Sequence, residues 1–214
     1  MRQLLLLTTS FPFGRGEDFL TEELRRAAGF DSVVICACHA AADDAQTKPV
    51  PEGMQVLRLR ADPASVSYGG VMLRPDIVPE ELSLLPRGRV APGMLHELLF
   101  FRRKAEAVLR ALNSQALPLL TAEEIVVYSY WFYDAAVAGA LFARQLRAAG
   151  KRVRLVSRAH GFDAFPDGFQ RNQPAFARRL RVHEPDEVRV GHGRQRVAAH
   201  GGFVQQPVAH EKVA

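Results

Sequence analysis

At 214 residues and 23.7 kDa the chain has room for one full α/β domain, or one domain and a fragment. Apolar residues make up 48% and charged residues 24%, with mean hydropathy near zero, which excludes disorder throughout and a membrane bundle. The net charge of +5 and pI near 9.6 suit nucleic acid, an anionic lipid surface or a phosphorylated small molecule. Lys and Arg form no single block, however, and a basic surface kept for solubility serves as well.

The amino end carries Leu4-Leu5-Leu6-Leu7, far short of the ~20 apolar residues of a bilayer crossing and too thin for a secretory signal. This run reads as a strand covered on both faces, as do Val33-Val34-Ile35, Ile125-Val126-Val127 and Val153–Val156. Met54–Leu59 alternates loosely and suits an edge strand. Cys36 and Cys38, on the second strand, are expected to point away from each other and to remain free thiols in a reducing cytoplasm.

Helical spacing appears between the strands. Residues 17–28 place Phe19, Leu20, Leu24 and Ala27 or Ala28 on one side, with Glu17 and Asp18 at the positive end and Gly29 as a stop. Residues 94–112 carry Leu95, Leu98, Leu99, Ala105, Val108, Leu109 and Leu112, and Arg102, Arg103, Lys104 and Glu106 are expected outside. Asp134 is a candidate cap for a helix ending at Gly150. Residues 62–93, rich in Pro and Gly, read as a long excursion. Strands alternating with helices predict an α/β fold with a doubly wound, mostly parallel sheet. Past Phe165 large apolar residues become scarce, so residues 166–214 read as an irregular, poorly packed tail, with a helix hinted at 174–180 and a strand at 186–190.

In such sheets ligands bind beyond the carboxyl ends of the strands. The first strand delivers Thr8 to Glu17, the second Cys38-His39, the fourth Ser129 to Asp134, and the last Ser157-Arg158-Ala159-His160-Gly161-Phe162-Asp163. Gly14-Arg15-Gly16 allows a ligand close to the backbone, and a helix start offers N–H groups to a diphosphate; equally, the turn serves chain geometry alone. His160 can hydrogen-bond a developing charge or simply hold a loop carbonyl. Arg158 and Asp163 suit substrate contacts or an ion pair across the loop. Trp131, with Tyr130 and Tyr133, suits stacking on a sugar or base ring, or packing. There is no G-x-G-x-x-G, phosphate loop or G-x-S-x-G elbow, and the tail histidines lack zinc-ligand spacing, so no zinc site is expected.

Two segments carry a resemblance. Leu5 to Glu23, L-L-L-T-T-S-F-P-F-G-R-G-E-D-F-L-T-E-E, resembles the opening of bacterial family 4 glycosyltransferases of the two-domain GT-B type, and Ser157-Arg-Ala-His-Gly-Phe-Asp163 resembles that family's R-A-H-G-[FY]-D loop. Tyr128-Ser-Tyr-Trp131 before an Ala-rich helix fits the same pattern, and the resemblance covers residues 1–165. It implies a Rossmann-like acceptor-side domain acting in polysaccharide biosynthesis, without a metal or cofactor, where a sugar passes with retention from a nucleotide-sugar donor to a glycan or lipid-linked acceptor. Carried over, Gly14, Arg15, Gly16 and Gly161 lie near donor or acceptor, His160 faces the reacting sugar, and Arg158 and Asp163 shape the loop. The family holds its nucleotide mainly in a second domain, for which 214 residues leave no room, so the chain is expected to be incomplete alone and residues 166–214 to be a frameshifted or truncated tail.

The alternative is a non-catalytic sugar- or nucleotide-binding subunit completed by a partner chain, such as a second GT-B half. Nucleic-acid binding by the Arg- and His-rich tail is weaker, because aromatics for stacking are few there. The expected location is cytoplasmic, at most peripheral at the inner membrane face through Arg102-Arg103-Lys104; a solvated helix face is the plainer reading of that triplet.

Overall fold

Four consecutive leucines are stable in a strand only when both faces are covered, and Arg2–Thr8 (β1) lies in the interior of the sheet. The computed structural model describes residues 1–27, 29–74, 92–159, 187–190 and 193–194. The further strands are β2 (Ser32–Ala37), β3 (Gln55–Arg58), β4 (Glu124–Ser129), β5 (Arg152–Ala159), β6 (Glu187–Val190) and β7 (Gly193–Arg194), in the order β3-β2-β1-β4-β5-β6-β7. All neighbours pair in parallel except β7, which turns back on β6. This is a Rossmann-like, doubly wound sheet whose winding reverses between β1 and β4. The expected strands are all present, with Gln55–Arg58 on the edge. In the tail, 187–190 joins the sheet as expected, whereas the helix hinted at 174–180 lies outside the described residues.

The two faces have separate cores. Leu4, Leu6, Val33, Ile35, Val126 and Val156 pack beneath α1 (Phe19–Arg25). Leu5, Leu7, Val34, Cys36, Val127 and Leu155 pack beneath α3 (Pro92–Ala111) and α4 (Asp134–Ala148). Cys36 and Cys38 do not point apart. Two residues along a strand return a side chain to the same face, and both sit buried in the α4-side core as free thiols.

Helix α1 is shorter than its sequence pattern because Glu17 takes φ +58° and ends any earlier helical path. Leu20 and Leu24 are buried as expected, but Phe19, one position round the helix, is 77% exposed. A short helix α2 (Tyr68–Met72) lies within the proline-rich excursion.

Helix α3 corrects a second expectation. Arg102 is four residues from Leu98 and three from Ala105, so it falls on the apolar stripe; it is 1% exposed, and Glu106 is 6% exposed. Arg74 and Arg102 both reach Glu106. Arg103 donates to the Val66 carbonyl and lies over Tyr68, and the Lys104 ammonium is 3.8 Å from Asp134 Oδ1. Each member of the basic triplet thus has a partner within the molecule, and no described helix is long and apolar enough to cross a membrane.

Helix α4 comes close to the sheet at Gly139, where a Cβ would stand 2.9 Å from Leu7 Cδ1 and 3.4 Å from Val127 Cγ1. It ends in a Schellman turn at Gly150 (φ +85°), with the N–H groups of Gly150 and Lys151 donating to Arg147 O and Leu146 O. Asp134 is its first residue, not its cap; Tyr133 precedes it and makes no side-chain cap.

Candidate functional site

Strand register aligns the exits. Cys36, Leu7, Ser129 and Ser157 form one row across β2, β1, β4 and β5, so the loops after these residues all leave at the carboxyl edge. The crevice between β1 and β4 lies at the reversal of winding, where open α/β sheets take their ligands.

The β1 loop is a cradle of backbone N–H groups that the protein fills itself. After the cis Phe11–Pro12 peptide the chain turns through Gly14 (φ +60°) and Gly16 (φ +86°), conformations that cost glycine little, and brings Glu17 back over the end of β1. Glu17 Oε1 accepts from Thr9 N (2.8 Å) and Trp131 Nε1 (2.8 Å), and Oε2 from Ser10 N (2.9 Å) and Phe11 N (2.7 Å). A carboxylate has about four lone-pair sites. Four donors fill them, so Glu17 is a positioning residue that fastens the β4 loop to the β1 loop. Any diphosphate near Gly14 and Gly16 must therefore use groups other than the N–H of residues 9–11. Arg15 and Gly16 are exposed at the tip. The turn is braced from behind by the buried Lys48, whose ammonium donates to Gly14 O (2.9 Å), and by Gly14 N donating to Ala45 O.

Trp131 is half-buried, edge-on to Tyr130 at 5.5 Å, and partly packed against the α1-side core. It thus takes up the packing role left open in the sequence and adds a hydrogen bond that the sequence does not announce.

Across the same edge, His39 Nε2 lies 2.6 Å from Asp134 Oδ2, joining the β2 exit to the start of α4 over the β1 loop. Burial raises the Asp134 carboxyl, but the hydrogen bond and charge of His39, with Lys104 beyond it, outweigh that and hold it below the usual carboxylate range. Beneath lies Cys38, whose thiol is pushed well up by burial and by the charges of Cys36, Asp134 and Glu17. Among the described residues no group of three His, Cys, Asp or Glu side chains is arranged to hold a metal.

Arg158 is on the α1 face of β5 rather than in a loop. Its Nη1 is 2.7 Å from Glu23 Oε2 and its guanidinium lies over Tyr130 at 5.1 Å; Tyr128 donates to the other Glu23 oxygen at 2.8 Å. Burial and the neighbouring Glu23 carboxylate push the Tyr128 hydroxyl well above its ordinary range. Below this cluster is an apolar cavity of about 330 Å³ between α1 and the sheet, walled by Leu4, Leu6, Leu24, Phe30 and Val156. The other expected site residues, His160, Gly161 and Asp163, lie outside the described residues.

The edge carries Gly14, Arg15 and Gly16 on the β1 loop and Trp131 on the β4 loop, and adds Glu17, which ties the two loops together, His39 and Asp134. These three join residues far apart in the chain, and no local spacing signals them. No protein-family model matches the chain, and neither a curated protein nor a solved structure shows significant similarity to it.

Proposed function

We propose that this chain is an acceptor-side glycosyltransferase domain of the GT-B type, similar to the family 4 enzymes, holding a glycan or lipid-linked saccharide whose hydroxyl receives a sugar from a nucleotide-sugar donor. One observation supports the reading: the strand order puts the β1 exit and the end of β5, to which the two segments of the resemblance belong, at one edge. The loop containing Gly14-Arg15-Gly16 follows β1, Arg158 and Ala159 close β5 at the same edge, and the end of β4, before Trp131, lies between them.

The chemistry asks for what this edge offers. Transfer from a nucleotide sugar passes through a cation-like sugar with a departing diphosphate, so fixed donors and positive charge lower its barrier. Glu17 and Trp131 lock two loops into a preorganised wall, and His160, by resemblance, supplies the donor at the reacting carbon. A metal or cofactor has no part in this reading.

The test is calorimetric titration of the full chain with methyl glycosides and with nucleotide sugars, beside a transfer assay using radiolabelled donor and a lipid-linked saccharide. Glycoside binding that is lost in Trp131→Ala supports the reading, and turnover lost in His160→Ala completes it. Glycoside binding without turnover, even when a separate nucleotide-binding half is supplied, favours the non-catalytic subunit. Absence of binding to any of these molecules overturns both.

A further inference from the structure

We infer that His39 is a hydroxyl-binding station at the rim of the crevice, with Asp134 as the residue that positions it. Taking a sugar hydroxyl as its ligand rests on the saccharide reading above; the arrangement of the pair does not.

The tautomer follows from the partner. An ionised carboxylate only accepts hydrogen bonds, so the 2.6 Å contact to Asp134 Oδ2 requires the hydrogen on His39 Nε2. The other ring nitrogen, Nδ1, makes no hydrogen bond to a described residue. Both partners are tightly held. Asp134 has 6% of its side chain exposed and its other oxygen faces Lys104 at 3.8 Å. His39 donates its own backbone N–H to Thr9 O at 2.7 Å, and Cys38 N–H donates to Thr8 O, so the residue is fixed from the β1 side too.

A clamp between β2 and α4 needs only the Nε2 bond. What this pair adds is one fixed tautomer, a ring still 24% exposed, and an uncommitted ring nitrogen beside the loops that carry Glu17 and Trp131. That nitrogen suits a hydroxyl in either protonation state: bare Nδ1 accepts the hydroxyl proton, and Nδ1–H donates to the hydroxyl oxygen. A hydroxyl-rich ligand at this edge therefore meets a preorganised imidazole that bridges the β2 exit and the start of α4. Neither the resemblance nor the glycine turn points to this residue.

The experiment is nitrogen-detected NMR of the full chain labelled at histidine and tryptophan, titrated with methyl glucoside, methyl galactoside, methyl mannoside and N-acetylglucosamine. In the free protein, His39 is expected with its hydrogen on Nε2, and Asp134→Asn is expected to mix the two tautomers while the fold persists by circular dichroism. With at least one sugar, the Nδ1 resonance of His39 is expected to shift together with the Trp131 indole. His39→Ala should weaken that sugar about 5- to 10-fold, the worth of one lost hydrogen bond. A response at Trp131 with none at Nδ1, or unchanged affinity in His39→Ala, overturns the inference and leaves the saccharide reading standing. If no sugar moves either residue, the saccharide reading fails first and the hydroxyl station falls with it. Should His39→Ala fail to fold, the wild-type Nδ1 shift alone decides.

Discussion

The indole of Trp131 and the carboxylate of Glu17, 114 residues apart in the chain, meet at 2.8 Å directly above the end of β1. This contact closes a cradle of three backbone N–H groups and makes one wall of two loops. It also explains why Glu17 tolerates φ +58°, a conformation that costs a non-glycine residue about 1–2 kcal/mol.

Replacing Glu17 by Ala removes four acceptor contacts at once. The expected loss is about 2–4 kcal/mol of stability, because the three backbone N–H groups lose their acceptor, that of Phe11 at a residue with no exposed surface. Glu17→Gln, which accepts through one oxygen only, should fall between. Urea unfolding measures both, and a Glu17→Ala protein as stable as the wild type would contradict the clamp.

Gly139 is where α4 touches the sheet, so helix propensity and packing oppose each other there. Alanine gains up to about 1 kcal/mol as a helix former. Its Cβ would stand 2.9 Å from a methyl of Leu7, a residue with no exposed surface to move into. Packing should win, with Gly139→Ala losing about 1 kcal/mol and Gly139→Leu about 3 kcal/mol in chemical denaturation. A stabilised Gly139→Ala would mean that α4 rides higher on the sheet.

The two thiols should be inert in the folded protein. Burial pushes Cys36 up to about 12 and Cys38 well above its ordinary value, so neither carries thiolate at pH 8. Iodoacetamide should label both only after unfolding, as mass spectrometry would reveal. Labelling of Cys38 in native conditions would place it nearer to solvent than the structure does.

The Asp134 carboxyl is held below its ordinary range, so its contribution to stability is present above about pH 4, the unfolded carboxyl value. It is lost as pH falls through the lower, folded value. Melting temperature followed from pH 7 to pH 3 should drop more steeply for the wild type than for Asp134→Asn. Parallel curves would contradict the His39–Asp134 pair.

The sheet was legible because its signals are local: an unbroken Leu4–Leu7 run means a covered strand wherever it occurs, and Gly150 ends a helix by its own φ. Arg102 was legible too, since the spacing 98, 102, 105, 109 puts it on the buried stripe, but its charge argued for solvent and hid the period. Glu17 looked like a helix-starting acid because helical spacing runs through it, whereas two glycines reverse the chain and turn its side chain back onto residues 9–11. His39 and Asp134, 95 residues apart, meet only because β2, β1 and β4 are neighbours, and that order is written in no short window of sequence.

Trp131 is the only tryptophan in the chain, so its emission reports on the crevice alone. Titrating the intact protein with methyl glycosides while recording that emission tests the central claim most directly. A saturable change given by one glycoside and withheld by its epimer is the predicted result. A flat response to every glycoside, with binding absent by calorimetry as well, would contradict a saccharide site between the β1 and β4 loops.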